Sequence, residues 1–243
     1  MADQGLIHFD NDRYSDSPFI ERVWSSYSER AGPFLSVASS HWEIVISRLQ
    51  GQSIVTVRGP ETLPTQVQCP ADGEWVAIRF KAGTFMPRFP VCQLVNNFGI
   101  NFPQVSKRYF LLEGARWELP TFDNAESFVG QLVNKGLISR DPEVTAVLQN
   151  GPTSLSTRSA QRHFLQITGM THQTMRQIER ARFAVQLLTK GVSIADAVWL
   201  CGFYDQAHLT RSLQKWIGLT PVKIARAEIQ LSFLYKTERL PLR

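Results

Sequence analysis

The rhythm of apolar residues changes near Pro120. Before it, β-branched or aromatic runs at 44–46, 53–57 and 75–80 are separated by turn residues at Gly51, Gly59-Pro60, Cys69-Pro70 and Asp72-Gly73. Short runs of this composition between turn formers are strand signals, and they predict a small β-barrel or sandwich. Between 85 and 103, prolines at 87, 90 and 103, Gly99 and the Asn96-Asn97 pair predict irregular backbone. After Pro120, Phe128, Leu132 and Val133, then Val144, Val147 and Leu148, recur at helical spacing. From Ser154 onward most apolar positions fall three or four apart.

The pattern therefore predicts an α+β chain of two units, with the stretch 113–124 as the candidate linker. A β-rich domain is expected over residues 1–120, and a linker with a first helix over 121–136. An all-α domain over 137–228 and a C-terminal tail over 229–243 complete the division.

The helical half contains a repeat. Arg162, Phe164, Gly169, Met170 and Thr171 match Arg211, Leu213, Gly218, Leu219 and Thr220 at a constant offset of 49 residues. In the second copy Ser193 is a credible N-cap, and Ile194, Ala197, Val198 and Cys201 form one apolar stripe before Gly202. Asp205 then caps a helix that buries Leu209, Leu213, Trp216 and Ile217 and ends at Gly218. Thr220-Pro221 opens a further helix. Two short helices joined by a glycine-containing turn make a helix-turn-helix. The first copy follows the same plan with a longer turn: a helix starts at Asp141-Pro142, Asn150-Gly151-Pro152 breaks it, and a second runs from about 157 to 168. Met175, Ile178, Ala181, Val185 and Leu188 define a connecting helix from about 172 to 189.

Charge reinforces the division. The net charge of +5 separates into −1 for residues 1–120 and +6 for the remainder, which favours a polyanionic partner for the helical half. A connecting helix of that length spans roughly 27 Å, close to the ~34 Å between equivalent major-groove faces one turn apart. The polar face of the first reading helix offers Arg158, Gln161 and Arg162, and that of the second offers Gln206, His208, Thr210, Arg211 and Lys215, with Ala207 among them. Arg suits guanine and Gln suits adenine in bidentate pairs. Ser156, Thr210 and Lys215 suit phosphate, which positions a protein without reading sequence.

At these residues the chain resembles the AraC/XylS family of bacterial transcription regulators. The resemblance covers roughly 125–228. It is carried by Ser193-Ile194-Ala195-Asp196, by Gly202-Phe203-Tyr204-Asp205-Gln206-Ala207-His208-Leu209-Thr210-Arg211 and by Gly218-Leu219-Thr220-Pro221. In the first copy Arg158, Arg162, Phe164 and Gly169 match the family's spacing. The resemblance implies two helix-turn-helices joined by a long helix and bound to promoter DNA, with RNA polymerase as a further partner. Departures are Ala160 for a usual Leu, Leu209 and Leu213 for common phenylalanines, and Ile224-Ala225 for a common Tyr-Arg pair. The apolar swaps preserve burial, while loss of that Arg removes a packing or phosphate contact.

The first half is similar, in Val57-Arg58-Gly59-Pro60-Glu61-Thr62 and 77–83, to the cupin-like sensor domain of part of the family. That likeness implies a small-molecule effector and a homodimer through this half, and Trp42, Trp75 and Phe80 are the candidate pocket residues. Only His8 and His41 lie there, short of the histidine set of catalytic cupins, so no metal, cofactor or enzymatic activity is expected. Three cysteines, Cys69, Cys92 and Cys201, form no CxxC pair and suit reduced thiols. No apolar run approaches the length of a membrane span, and the first ten residues lack a secretory signal. A cytoplasmic bacterial protein, on the nucleoid when bound, is the corresponding expectation. Two other classes stay open: a small-molecule-binding or cupin-type β-barrel protein with a non-specific basic appendage, and a single-strand or RNA binder. The first needs a metal or nucleophile–base pair before residue 120, and the second needs exposed aromatic platforms.

Overall fold

The computed structural model describes residues 6–97 and 99–226; the tail expected over 229–243 lies outside them. The chain opens with β1 (His8–Tyr14), β2 (Ile20–Ser28) and β3 (Gly32–Ser36), followed by β4 (Glu43–Leu49) and β5 (Gln52–Arg58). Next come β6 (Thr65–Cys69), β7 (Gly73–Phe80) and β8 (Thr84–Phe85), then a 3-10 turn at Val91–Leu94. β9 (Ile100–Phe102), β10 (Gln104–Ser106), β11 (Tyr109–Leu112) and β12 (Ala115–Glu118) complete the β-rich unit. The strands expected at 44–46, 53–57 and 75–80 are the cores of β4, β5 and β7.

Six strands form one antiparallel sheet in the order β1-β2-β7-β4-β5-β9. Its two outer strands do not pair with each other, so the sheet is open and no barrel closes. Gln50 and Gly51 both take positive φ, the two-residue turn that matches strand twist in a hairpin, and it fixes the β4–β5 register. In β5 the inward positions Ser53, Val55 and Val57 alternate with more exposed ones, so one face of the sheet builds the core. The region expected to be a linker begins inside this unit, because Glu113-Gly114 is the turn between paired β11 and β12.

Helical structure follows: α1 (Ala125–Asn134), the two-residue β13 (Ser139–Arg140), α2 (Pro142–Leu148), α3 (Thr157–Thr168), α4 (His172–Thr189), α5 (Ile194–Leu200), α6 (Gln206–Trp216) and α7 (Pro221–Ala225). The whole is α+β, β-rich first and helical afterwards. Two apolar cores form. One joins the sheet to α1 through Ala125, Phe128, Val129 and Leu132. The other lies among α2 to α7 and takes in two residues from the β-rich unit, Val37 and Ala38, both essentially inaccessible.

α1 is fastened to β1 by charge as well. Arg13 Nη2 donates to Glu126 Oε2 at 2.7 Å and Ser15 Oγ donates to Glu126 Oε1 at 2.7 Å. The hydrogen bond from Arg13, against the opposing pull of burial, holds the Glu126 carboxyl down to about 2 from its ordinary 4.5. A carboxylate with a depressed folded pKa stabilises the fold above its unfolded pKa and loses that contribution as pH falls through the folded value. The melting temperature should therefore drop between pH 4.5 and about 2 more steeply in the wild type than in Glu126→Gln. Parallel curves in a thermal melt series would show that the pair contributes nothing.

Candidate nucleic-acid interface

Each helix from α2 to α7 begins at a side-chain cap that accepts the N–H three residues on. Asp141 accepts from Val144, Ser156 from Ser159, Thr171 from Thr174, Ser193 from Asp196, Asp205 from His208 and Thr220 from Lys223. Such caps stabilise a helix by about 1 kcal/mol each and set where it starts. The connecting helix α4 has 18 residues, the length expected from the apolar spacing.

In the first copy Asp141 does more than cap α2. His163 Nε2 on α3 lies 2.7 Å from Asp141 Oδ2, so the start of α2 is tied to the middle of α3. The longer turn between them is held by Glu143, which accepts from Ser154 Oγ at 2.5 Å. With Phe164 buried and Ile167 packed beneath, α3 leaves Arg158, Gln161 and Arg162 exposed on its outer face.

The second copy presents the equivalent face. Leu209, Leu213 and Trp216 are buried, while Gln206, Ala207, Arg211 and Lys215 are exposed. Four of the expected contacts are partly engaged within the protein. Thr210 Oγ1 donates to Gln206 O at 2.8 Å, and the Ser156 hydroxyl serves as the α3 cap. His208 Nδ1 accepts the Tyr204 N–H at 3.4 Å, which in the neutral ring places the proton on Nε2. Its ring stands edge-on to Phe203 at 5.3 Å between centroids. Lys215 Nζ sits 4.2 Å from the Trp216 ring centroid, so its reach is set by a cation–π contact.

Two exposed aromatics beside this face were not among the expected site residues. Trp199 is 79% and Tyr204 is 91% exposed. The signal was present in the stripe itself. With Ile194, Ala197, Val198 and Cys201 inward, position 199 falls on the outer side of the helix.

The effector candidates lie elsewhere. Trp42 and Phe80 are buried in the sheet core and stacked at 3.8 Å, with Trp42 Nε1 donating to Thr84 O at 2.7 Å. Trp75, half-buried on β7, is outside that cluster. A cleft of about 2130 Å³ instead separates the β-rich unit from α2 to α5, and Asp16, Glu21, His41, Gln161, Arg176 and Arg180 are among its walls.

A polar junction crosses one end of that cleft. Ser40 Oγ donates to Glu179 Oε1 at 2.6 Å, and Arg182 Nη1 donates to Ala38 O at 3.0 Å. His41 lies between carboxylates, 3.6 Å from Glu21 and 3.8 Å from Glu179. Burial alone would raise the Glu179 pKa, but His41, Arg182 and Ser40 together hold it below the ordinary value. Burial pushes the Arg182 guanidinium down to about 10, still charged at neutral pH.

The cysteines Cys69, Cys92 and Cys201 are all free thiols, and burial raises Cys201 to about 11, so it is not a nucleophile at neutral pH. Among the described residues no group of three or more His, Cys, Asp or Glu could hold a metal ion, and no helix is long and apolar enough to cross a membrane.

This tandem arrangement defines a class. Residues 152–227 match the family model of a helix-turn-helix domain, which takes in α3 to α7. The chain is also similar to the HTH-type transcriptional regulator RipA of Corynebacterium glutamicum, 31% identical over 87 residues, or 36% of this chain and 26% of RipA. The similar stretch thus spans about a quarter of that relative's length. No solved structure matches the chain significantly. The helical half carries a helix-turn-helix domain of the AraC type.

Proposed function

We propose that the protein is a sequence-specific duplex-DNA-binding transcription regulator whose reading helices α3 and α6 enter adjacent major-groove segments. The observation that carries this reading is the repeat. Two capped helices, 49 residues apart in sequence, expose matching Arg-containing faces at either end of a connecting helix roughly 27 Å long. Arg158, Arg162 and Arg211 are assigned to guanine edges, Gln161 and Gln206 to adenine, and His208 to a base edge. Ala207 is assigned to a thymine methyl. Lys215, Ser156 and Thr210 are assigned to the phosphate backbone.

The division at 1–120, 121–136 and 137–228 belongs to the same proposal, with the first unit sensing and dimerising and α1 counted with its core. Effector binding is assigned to the cleft between the units, since Trp42 and Phe80 fill the sheet core and Trp75 alone of the three aromatics is partly open. RNA polymerase is the further partner of such a regulator, and the bacterial cytoplasm its place of action.

Selection from a random duplex library, followed by equilibrium binding across a salt series, tests the reading. The selected duplex should bind tightly, with the logarithm of affinity falling linearly with the logarithm of salt. Lys215→Ala should weaken binding to all duplexes alike and reduce that slope by about 1. Equal affinity for selected and random duplexes would defeat the proposal. Tighter binding to single strands would do the same, and would hand Trp199 and Tyr204 the role of stacking platforms.

A further inference from the structure

The two halves of the repeat meet the β-rich unit at equivalent positions. Gly169 ends α3 with φ of 77°, and Gly218 follows α6 with φ of 84°. A Cβ on Gly169 would lie 2.4 Å from Val95 Cγ2 and 2.9 Å from Cys92 Cα. One on Gly218 would lie 3.2 Å from Pro64 Cβ and 3.6 Å from Leu35 Cδ2. Beside Gly218, the Ala38 N–H donates to the Trp216 carbonyl at 2.9 Å, so the β-rich unit closes the end of the second reading helix. Each glycine thus does two things: it turns the chain left-handed and it admits a neighbouring backbone or ring.

Asn96 bridges the two docking points. Asn96, exposed and itself at φ of 59°, accepts the Thr62 N–H on Oδ1 at 2.7 Å and donates from Nδ2 to Thr62 Oγ1 at 2.8 Å. Its own N–H donates to Pro60 O at 3.0 Å. Val95, against Gly169, is its chain neighbour, and Pro64, against Gly218, is two residues beyond Thr62. The segments 59–64 and 91–96 are therefore a single cross-braced platform under both reading helices.

We infer that Asn96 is a positioning residue for DNA reading: by locking the two docking points together it holds the far ends of α3 and α6, which α4 connects, at one distance and phase, and so narrows the spacing between half-sites that the protein accepts. This rests on the duplex-reading proposal above and adds the source of its spacing rule. The bonds of Asn96 run to Thr62 and Pro60 and not to either reading helix, so they act through the platform.

Displacing one half-site by a single base pair moves it by about 3.4 Å and roughly 35°. A rigid pair of helices pays for such a shift with lost base contacts, and a loosened pair follows it. The test is binding of the full chain to the selected duplex and to versions with one base pair inserted or removed between half-sites. The wild type should disfavour the displaced duplexes by ~10-fold or more, comparable to a mismatched base pair, and Asn96→Gly should reduce that to ~3-fold or less. Glycine keeps the left-handed backbone without strain, so the change isolates the side-chain bonds. Thr62→Val, which removes the hydroxyl's bonds to Asn96 but keeps the Thr62 N–H bond to Oδ1, should shift the preference in the same direction by less, and a circular dichroism spectrum checks that each variant is folded. Unchanged spacing preference in folded Asn96→Gly would overturn the inference. Sequence preference without spacing preference in the wild type would overturn it too while leaving the duplex reading intact, whereas absence of any sequence preference would overturn both.

Discussion

Glu43→Ala is expected to destabilise the protein by about 3–5 kcal/mol, the range for leaving one member of a buried ion pair without its partner. Glu43 on β4 and Arg79 on β7 face each other across paired strands, with Arg79 Nε donating to Glu43 Oε1 at 2.7 Å. Both side chains are nearly closed to water, at 14% and 12% exposure. Burial disfavours charge on each, yet the pairing holds Glu43 below its ordinary pKa and raises that of Arg79. Without Glu43, Arg79 would face Arg182 with only Glu21 and Glu179 to offset it. Urea unfolding measures the effect, and Glu43→Gln, which keeps an acceptor, should lose less. An unchanged midpoint in Glu43→Ala would mean that Arg79 re-pairs with Glu21 or Glu179 at no cost.

Arg211→Ala should instead leave stability within about 0.5 kcal/mol, as expected for an exposed residue away from caps and cores. Its side chain makes no hydrogen bond or ion pair to a described residue, so nothing in the fold depends on it. Discrimination between the selected duplex and one altered at the contacted base should fall by about 1–3 kcal/mol, the contribution of one bidentate pair. Arg162→Ala should do the same at the other half-site. The two effects should add, because the residues lie on different helices without shared partners. Competition binding with single-position duplex variants provides the measurement. Equal losses on every duplex, altered or not, would reassign Arg211 to the phosphate backbone.

Much of the helical half was legible because its signals are local. Asp141, Ser193, Asp205 and Thr220 announce helix starts through bonds that span three residues, and the stripe from Met175 to Leu188 marks α4 directly. β4, β5 and β7 were legible for a similar reason, being apolar runs between turn formers. β1 was not, since an edge strand reading His-Phe-Asp-Asn-Asp-Arg-Tyr has no alternation to betray it. Nor did β12 stand out within 113–124, where Glu113-Gly114 looks like a linker and acts as a hairpin turn. Most candidate reading residues were legible as exposed positions, His208 and Thr210 being half-buried, because burial of Phe164, Leu209 and Leu213 dictates which side faces out. What joins the two units was not legible. His41 meets Glu179, and Arg182 reaches the Ala38 carbonyl, through distances in sequence that no local pattern encodes.

Val37 and Ala38 carry a consequence for how such a molecule can evolve. They are written in the first half of the chain but sit in the floor of the second core, where Ala38 also occupies Arg182 and the end of α6. Exchanging the first 120 residues for those of another regulator would leave a hole there and put at risk the bond from the buried Arg182 guanidinium to the chain at position 38. The two halves are therefore not interchangeable parts, and substitutions at 37 and 38 should be inherited together with compensating ones around Trp216 and Arg182.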